Sequence, residues 1–256
     1  MSSVIYGPVP SWRLGSSLGI DLISTGTKTC SFNCTYCQLG ETVQQVSERN
    51  EFVSLDRIED EIEAVKGIEI DYVTFSGMGE PTLASNFGQA VELVRSALDF
   101  PIAVLTNSSL LFLPDVQKEL AHVDFVVAKL DASDEKMFQA INRPASGISL
   151  DQTIDGIRRF RRSFSGRLAL QIMFIDSNKE QAAEMASLAV EIAPDEVQLN
   201  TPLRPCPERP LSREEIEDVK PVFANFGGII TSVYDSMKPS VVPISTDETL
   251  RRRPVL

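Results

Sequence analysis

The chain has 256 residues, 43% of them hydrophobic, a formal net charge of −12, four cysteines and a single histidine, His122. That apolar content supports a full-sized core and excludes intrinsic disorder. The charge argues against a broad basic face for nucleic acid, and one histidine excludes a His-rich metal centre and argues against a Ser-His-Asp triad.

In chain order, a strand is predicted over 19–23, then a helix over 55–66 that Ser54 can cap, with Leu55, Ile58, Ile62 and Val65 on one stripe. A strand over 72–76 and a helix over 87–98 follow, then strands over 102–106 and 125–129. Ser149 or Asp151 starts a helix through 164, before a strand over 168–174, a helix over 179–192 and a strand over 196–200. A capping box, Ser212-Arg213-Glu214-Glu215, opens a helix over 212–226, and a weaker strand covers 229–233. Repeated β-then-α units imply parallel strands joined by right-handed crossovers. Six units predict an α/β fold, a partial (β/α)6 TIM-like barrel; a doubly wound open sheet is the second choice. Both put chemistry at the C-terminal ends of the strands. One domain is expected over 1–256, with residues 1–17 and 235–256 packed on it as extensions. Apolar runs are far shorter than the roughly 20 residues that span a bilayer, and the N-terminus lacks a signal pattern. A cytoplasmic, monomeric protein with no membrane attachment is expected.

Three of the four cysteines fall in Cys30-Ser31-Phe32-Asn33-Cys34-Thr35-Tyr36-Cys37, after the first predicted strand. Such crowding in a cytosolic chain points to metal rather than to a disulfide framework. Three thiolates on one short loop can bind three irons of a cubic cluster and leave the fourth open. A small chelator, such as the amino and carboxylate groups of a methionine moiety, suits that open iron. Electron transfer to a sulfonium there would break a C–S bond and release a 5′-deoxyadenosyl radical, chemistry that belongs to the cofactor while the protein positions it. The competing reading takes Cys206 as a fourth ligand, for structural zinc or a closed electron-transfer cluster. A tRNA-binding protein without turnover is a third reading, and the charge opposes it.

The cysteine motif resembles the signature of the radical SAM superfamily. The stretch Thr74-Phe75-Ser76-Gly77-Met78-Gly79-Glu80-Pro81 is similar to that superfamily's glycine-rich motif after the second strand. The resemblance implies a [4Fe–4S] cluster on Cys30, Cys34 and Cys37. It also implies S-adenosyl-L-methionine (SAM) held by Gly77, Met78, Gly79 and Glu80, with Asn107, Asn200 and Tyr36 as further contacts. Tyr6-Gly7-Pro8-Val9-Pro10-Ser11-Trp12-Arg13, Lys129-Leu130-Asp131, Ile141-Asn142-Arg143-Pro144 and Leu199-Asn200-Thr201-Pro202 resemble a narrower group. These are small stand-alone proteins related to the wyosine tRNA-base synthases. The kinship implies an oxidoreductase fed by flavodoxin or ferredoxin and acting on an RNA base, with protein or peptide modification or an activase role as the alternative. The archaeal wyosine synthases resemble a two-cluster design; here only Cys206 is left over, so one cluster is expected.

Substrate is expected near Lys129, Asp131 and Arg143. Lys129 either forms a Schiff base or, more simply, pairs with Asp131 or contacts SAM. Arg143 precedes a proline, which favours extended backbone. Gln171 is read as a core or pocket group, Trp12 and Arg13 as closing the barrel's open side or else contacting substrate, Cys206 as an inert thiol or else a hydrogen-atom donor or covalent acceptor, and His122 as structural. The run 158–162, Arg-Arg-Phe-Arg-Arg, is read as a solvated face, with a phosphate-contacting patch formed together with Arg251–Arg253 as the alternative.

Overall fold

The computed structural model describes residues 2–235 and 239–254. Met1, 236–238 and 255–256, which belong to the expected extensions, lie outside the described residues. Strands β1 (Ile5–Ser11) and β2 (Gly15–Ile20) form an antiparallel hairpin, and β3 (Thr29–Cys30) and β4 (Gln44–Gln45) a small parallel pair. Then come α1 (Leu55–Glu63), β5 (Tyr72–Phe75), α2 (Phe87–Ala97), β6 (Ile102–Thr106), α3 (Pro114–Leu120), β7 (Phe125–Lys129), α4 (Glu135–Ile141) and α5 (Leu150–Ser163). The chain continues through β8 (Arg167–Met173), α6 (Ala182–Ile192), β9 (Glu196–Asn200), α7 (Arg213–Val219), β10 (Ile229–Ser232) and α8 (Thr246–Arg252).

The main sheet runs β1-β2-β5-β6-β7-β8-β9-β10, and every pairing after the first is parallel. This is the predicted partial barrel, with the weak strand at 229–233 as its last member. Its strands read as apolar runs because both faces are covered. Outward residues such as Val73, Phe75, Ile102, Val104, Val126 and Leu170 join the helices in one large core. Inward residues divide by height. Leu14, Ala103, Phe125, Val127 and Ala169 plug the lower lumen. Nearer the C-terminal ends the inward residues turn polar: Thr74, Lys129, Gln171 and Asn200.

The first strand begins earlier than predicted, because polar residues 15–17 are held between β1 and β5. Ser17 Oγ lies 2.6 Å from Thr74 Oγ1 inside the barrel, and Gly19 lies so close under the Tyr6 ring that a Cβ would sit 2.1 Å from it. Helix α7 gives way to a 3₁₀ segment, Lys220–Phe226, where Pro221 removes a backbone donor. Helices α3, α4 and α8, seven residues each, carry too few turns for a clear apolar stripe and were not predicted.

Candidate active site

The loop after β2 carries the three cysteines back over the C-terminal mouth of the barrel. It is held from two sides. On one side Thr29 bridges to Gly79, and the Thr29 N–H donates to the Met78 carbonyl at 3.1 Å. A Cβ at Gly79 would meet the Thr29 carbonyl oxygen at 1.6 Å, so only glycine allows this approach. Gly77 has φ +155° and faces the Asp21 carboxylate, where a Cβ would sit 2.2 Å from Cγ. On the other side the end of α4 braces the loop. The Asn33 N–H donates to the Asn142 and Arg143 carbonyls at 3.1 Å, and the Thr35 N–H donates to Ile141 at 2.9 Å.

Cys30, Cys34 and Cys37 line one cavity of about 190 Å³ with Tyr36, Asn107 and Lys129. All four cysteines are free thiols. Burial pushes the Cys30 thiol up to about 12, with Glu80 adding to the shift. Burial also raises Cys34, although Lys129 opposes it. Such thiols are poor nucleophiles at neutral pH; a bound cation would instead take them as thiolates and release their protons. Among the described residues no three His, Cys, Asp or Glu side chains converge tightly enough to hold one ion. Three thiols in a cavity with no fourth protein ligand among the described residues fit a cluster with one open iron better than structural zinc, which takes four ligands. Cys206 does not line that cavity; its thiol contacts the Glu208 carbonyl at 3.3 Å.

Glu80 is buried. Its Oε1 accepts from the hydroxyls of Thr82 and Thr106, each at 2.7 Å, and its Oε2 from the Asn107 N–H at 2.6 Å. Burial raises its pKa against these bonds. The carboxylate thus clamps the Gly77–Met78–Gly79 turn to the end of β6. Asn107, so placed, donates from Nδ2 to Ser31 Oγ at 2.8 Å and reaches Cys30 Sγ at 3.5 Å.

Asp131 is a second buried hub. One oxygen accepts from the Met173 N–H at 2.7 Å; the other accepts from Asn142 Nδ2 at 3.0 Å and from the Tyr36 hydroxyl. Lys129 Nζ lies 3.5 Å from Asp131, 3.2 Å from the Tyr36 hydroxyl and 4.4 Å above the Tyr36 ring. Burial works against its ammonium, but Asp131 and the neighbouring thiols outweigh burial and hold its pKa above the ordinary lysine value. Burial and the adjacent Asp131 push the Tyr36 phenol well above its usual range.

Arg143 departs from the expected extended backbone. Its φ is +47°, because the chain must reverse at the end of α4 so that the carbonyl can reach Asn33 and Gln45 Nε2, the latter at 2.7 Å. Its side chain is exposed and does not line the cysteine cavity. Asn200 and Gln171 do line the mouth. His122 lies at the opposite end, before β7. In the arginine run, Arg158, Arg159 and Arg161 pair with Glu191, Asp155 and Asp195 on the outer face.

The sequence reading passed over Asn142 and Asn178. Asn142 links Tyr36 to Asp131, and Asn178 Nδ2 bonds the Asp131 and Met173 carbonyls at 2.8 and 2.9 Å. Only the phrase Ile141-Asn142-Arg143-Pro144 signalled the first. Among the described residues no helix is long and apolar enough to cross a membrane.

Residues 24–189 match the radical SAM superfamily. A UPF0026 protein of Methanocaldococcus jannaschii is 40% identical over 235 residues, covering 89% of this chain and 72% of that protein. Streptococcus suis SuiB, solved with the precursor peptide SuiA, has the same fold at a TM-score of 0.64 and 15% identity, over 84% of this chain; the match spans about half, 48%, of SuiB. TYW1 with a lysine-pyruvate adduct bound matches at a TM-score of 0.57 and 14% identity, over 82% of this chain and 73% of that one. The cysteine loop, the glycine turn pressed against it and the parallel half-barrel beneath them thus belong to an enzyme of the radical SAM superfamily, whose members work with S-adenosylmethionine and an iron–sulfur cluster.

Proposed function

We propose that Cys30, Cys34 and Cys37 hold a single [4Fe–4S] cluster with one iron left for SAM, and that the enzyme abstracts a hydrogen atom from a substrate in the barrel mouth. The observation that carries this reading is the cavity shared by three free thiols, with Cys206 outside it. When bound, cluster and SAM supply a one-electron reductive C–S cleavage, giving methionine and a 5′-deoxyadenosyl group that takes a hydrogen atom and leaves as 5′-deoxyadenosine. The electron comes from an external carrier such as flavodoxin or ferredoxin.

The chain's own residues shape the site. The 77–79 turn lies beside the cysteine loop and offers backbone groups to SAM. Glu80 acts by holding Asn107, and Tyr36 by carrying the Asp131–Asn142 network to the cysteines. Asn200 borders the substrate side. Lys129 lines the cysteine cavity and also a neighbouring one beside the glycine turn. Its pairing with Asp131 favours a charged positioning group over a Schiff-base lysine of the kind implied by the TYW1 adduct. Arg143 serves through its carbonyl. The whole chain is read as one domain, supported by β1 joining the sheet and by Arg252 of α8 bonding Asp21 near β2.

An RNA base is the first substrate choice, on kinship with the wyosine synthases; a protein or peptide is the second, on the likeness to SuiB. Anaerobic reconstitution followed by SAM and dithionite tests the core claim. We expect 5′-deoxyadenosine from the wild type and from Cys206→Ala, and none from Cys34→Ala. No product from a protein with an intact cluster would end the catalytic reading.

A further inference from the structure

The upper lumen is cationic in an acidic protein. A cavity of about 260 Å³ beside the glycine turn is lined by Arg13, Arg204, Arg252, Arg253 and Lys129, and by no aspartate or glutamate. An adjoining cavity of about 200 Å³ again has Arg13, Arg204 and Arg253 in its wall and no carboxylate. Two of these five cations are answered locally: Lys129 by Asp131, and Arg252 by Asp21 at 2.8 Å and Glu248 at 2.8 Å. The other three have no carboxylate partner among the described residues. Among the described residues Arg204 donates only to neutral oxygens, Gln38 Oε1 at 2.5 Å and the Arg252 carbonyl at 3.3 Å. Arg13 is the most exposed to this imbalance. It sits in the turn between β1 and β2, and its Nε and Nη1 are buried with no hydrogen-bond partner.

A folded chain does not bring three guanidiniums together without a counter-charge at no cost. Burial first, then Arg253 and Arg204, lower the Arg13 pKa to about 9, and Glu196, already paired with Arg167, offsets only part of this. Burial and Arg253 lower Arg204 to about 10. Orphaned buried donors call for an explanation, and here a missing anion supplies one. Guanidinium forks match phosphate oxygens in geometry as well as charge. Three guanidiniums without an ion-pair partner among the described residues suit a multiply charged anion better than a single carboxylate.

We infer that the substrate carries a phosphate or diphosphate group, and that Arg13, Arg204 and Arg253 bind it in the barrel mouth beside the cysteine cavity. This rests on reading the mouth as the substrate chamber, but its test needs no turnover. Trp12, the one tryptophan of the chain, lies 4.9 Å from the Arg13 guanidinium and reports on the site.

The reconstituted protein would be titrated with inorganic pyrophosphate at low ionic strength, followed by calorimetry and by Trp12 fluorescence. Saturable binding is expected with both readouts. Arg13→Gln and Arg204→Gln should each weaken it by about tenfold or more, the loss of one charge-assisted bond. Arg158→Gln, on the outer face, should bind as the wild type does. Two variants at separate places in the fold guard against one of them failing to fold. Displacement of pyrophosphate by bulk tRNA would assign the phosphate to RNA, and lack of displacement to a small phosphorylated molecule; both support the inference. Absence of saturable binding, equal binding by Arg13→Gln and Arg204→Gln, or complete exclusion of pyrophosphate by SAM would overturn it. The last result would give the arginines to the SAM carboxylate.

Discussion

Asp131 ties Met173, Asn142 and Tyr36 together and faces Lys129. Removing one partner of a buried pair leaves the other charge uncompensated, which costs about 3–5 kcal/mol. Asp131→Ala should therefore lower unfolding free energy by about 3 kcal/mol, the lower end because Lys129 keeps some solvent contact. Adding Lys129→Met should recover part of that loss in urea denaturation, whereas simple additivity would show that the pair is not coupled. Gly79→Ala works differently. Its methyl group has no room against the Thr29 carbonyl, so the cysteine strand must move away. Iron and sulfide content after reconstitution should fall sharply while far-UV circular dichroism changes little. At this scale the sequence revealed the residues whose chemistry is local: the cysteine spacing and the glycine turn. It did not reveal the partners that only the fold assembles. Asn142 and Asn178 come from segments far apart in the chain, and no periodicity marks them; Arg13 and Arg251–Arg253 stood out by residue type, but only the fold brings Arg13, Arg204 and Arg253 to one wall.

Among the elements, Ser54 and Ser149 both read as helix caps. Only Ser149 makes the bond, accepting from the Gln152 N–H within a capping box, while Ser54 makes no side-chain cap bond. Ser149→Ala should cost about 1 kcal/mol and Ser54→Ala close to nothing, measured by denaturant midpoints. Long amphipathic helices and doubly buried strands were legible because their pattern repeats within one segment. The β1–β2 hairpin was not, since its pairing depends on Tyr6 finding Gly19. Helix α8 depends on one contact in particular. Arg252 bonds Asp21, both almost wholly buried. Arg252→Ala should strand the Asp21 charge, destabilise the protein by about 3–5 kcal/mol and speed hydrogen exchange in β1, which α8 packs against.

Over the whole molecule, charge is sorted by place. The outer surface carries the acidic excess, pairing off most helix arginines, while the barrel mouth gathers three arginines with no carboxylate partner among the described residues. An apolar cluster fills the lower lumen, and the cavities lie toward the C-terminal rim, where parallel strands deliver Lys129, Gln171 and Asn200. The architecture thus brings three things to one mouth: a three-cysteine cavity, a glycine turn locked to it and an anion-seeking wall. The central claim is that this cavity holds an iron cluster with one corner open to SAM. Electron paramagnetic resonance of the reduced, reconstituted protein tests it most directly. The account predicts a [4Fe–4S] signal whose g-values shift when SAM is added, both in the wild type and in Cys206→Ala. A signal indifferent to SAM, or a cluster lost in Cys206→Ala, would contradict it.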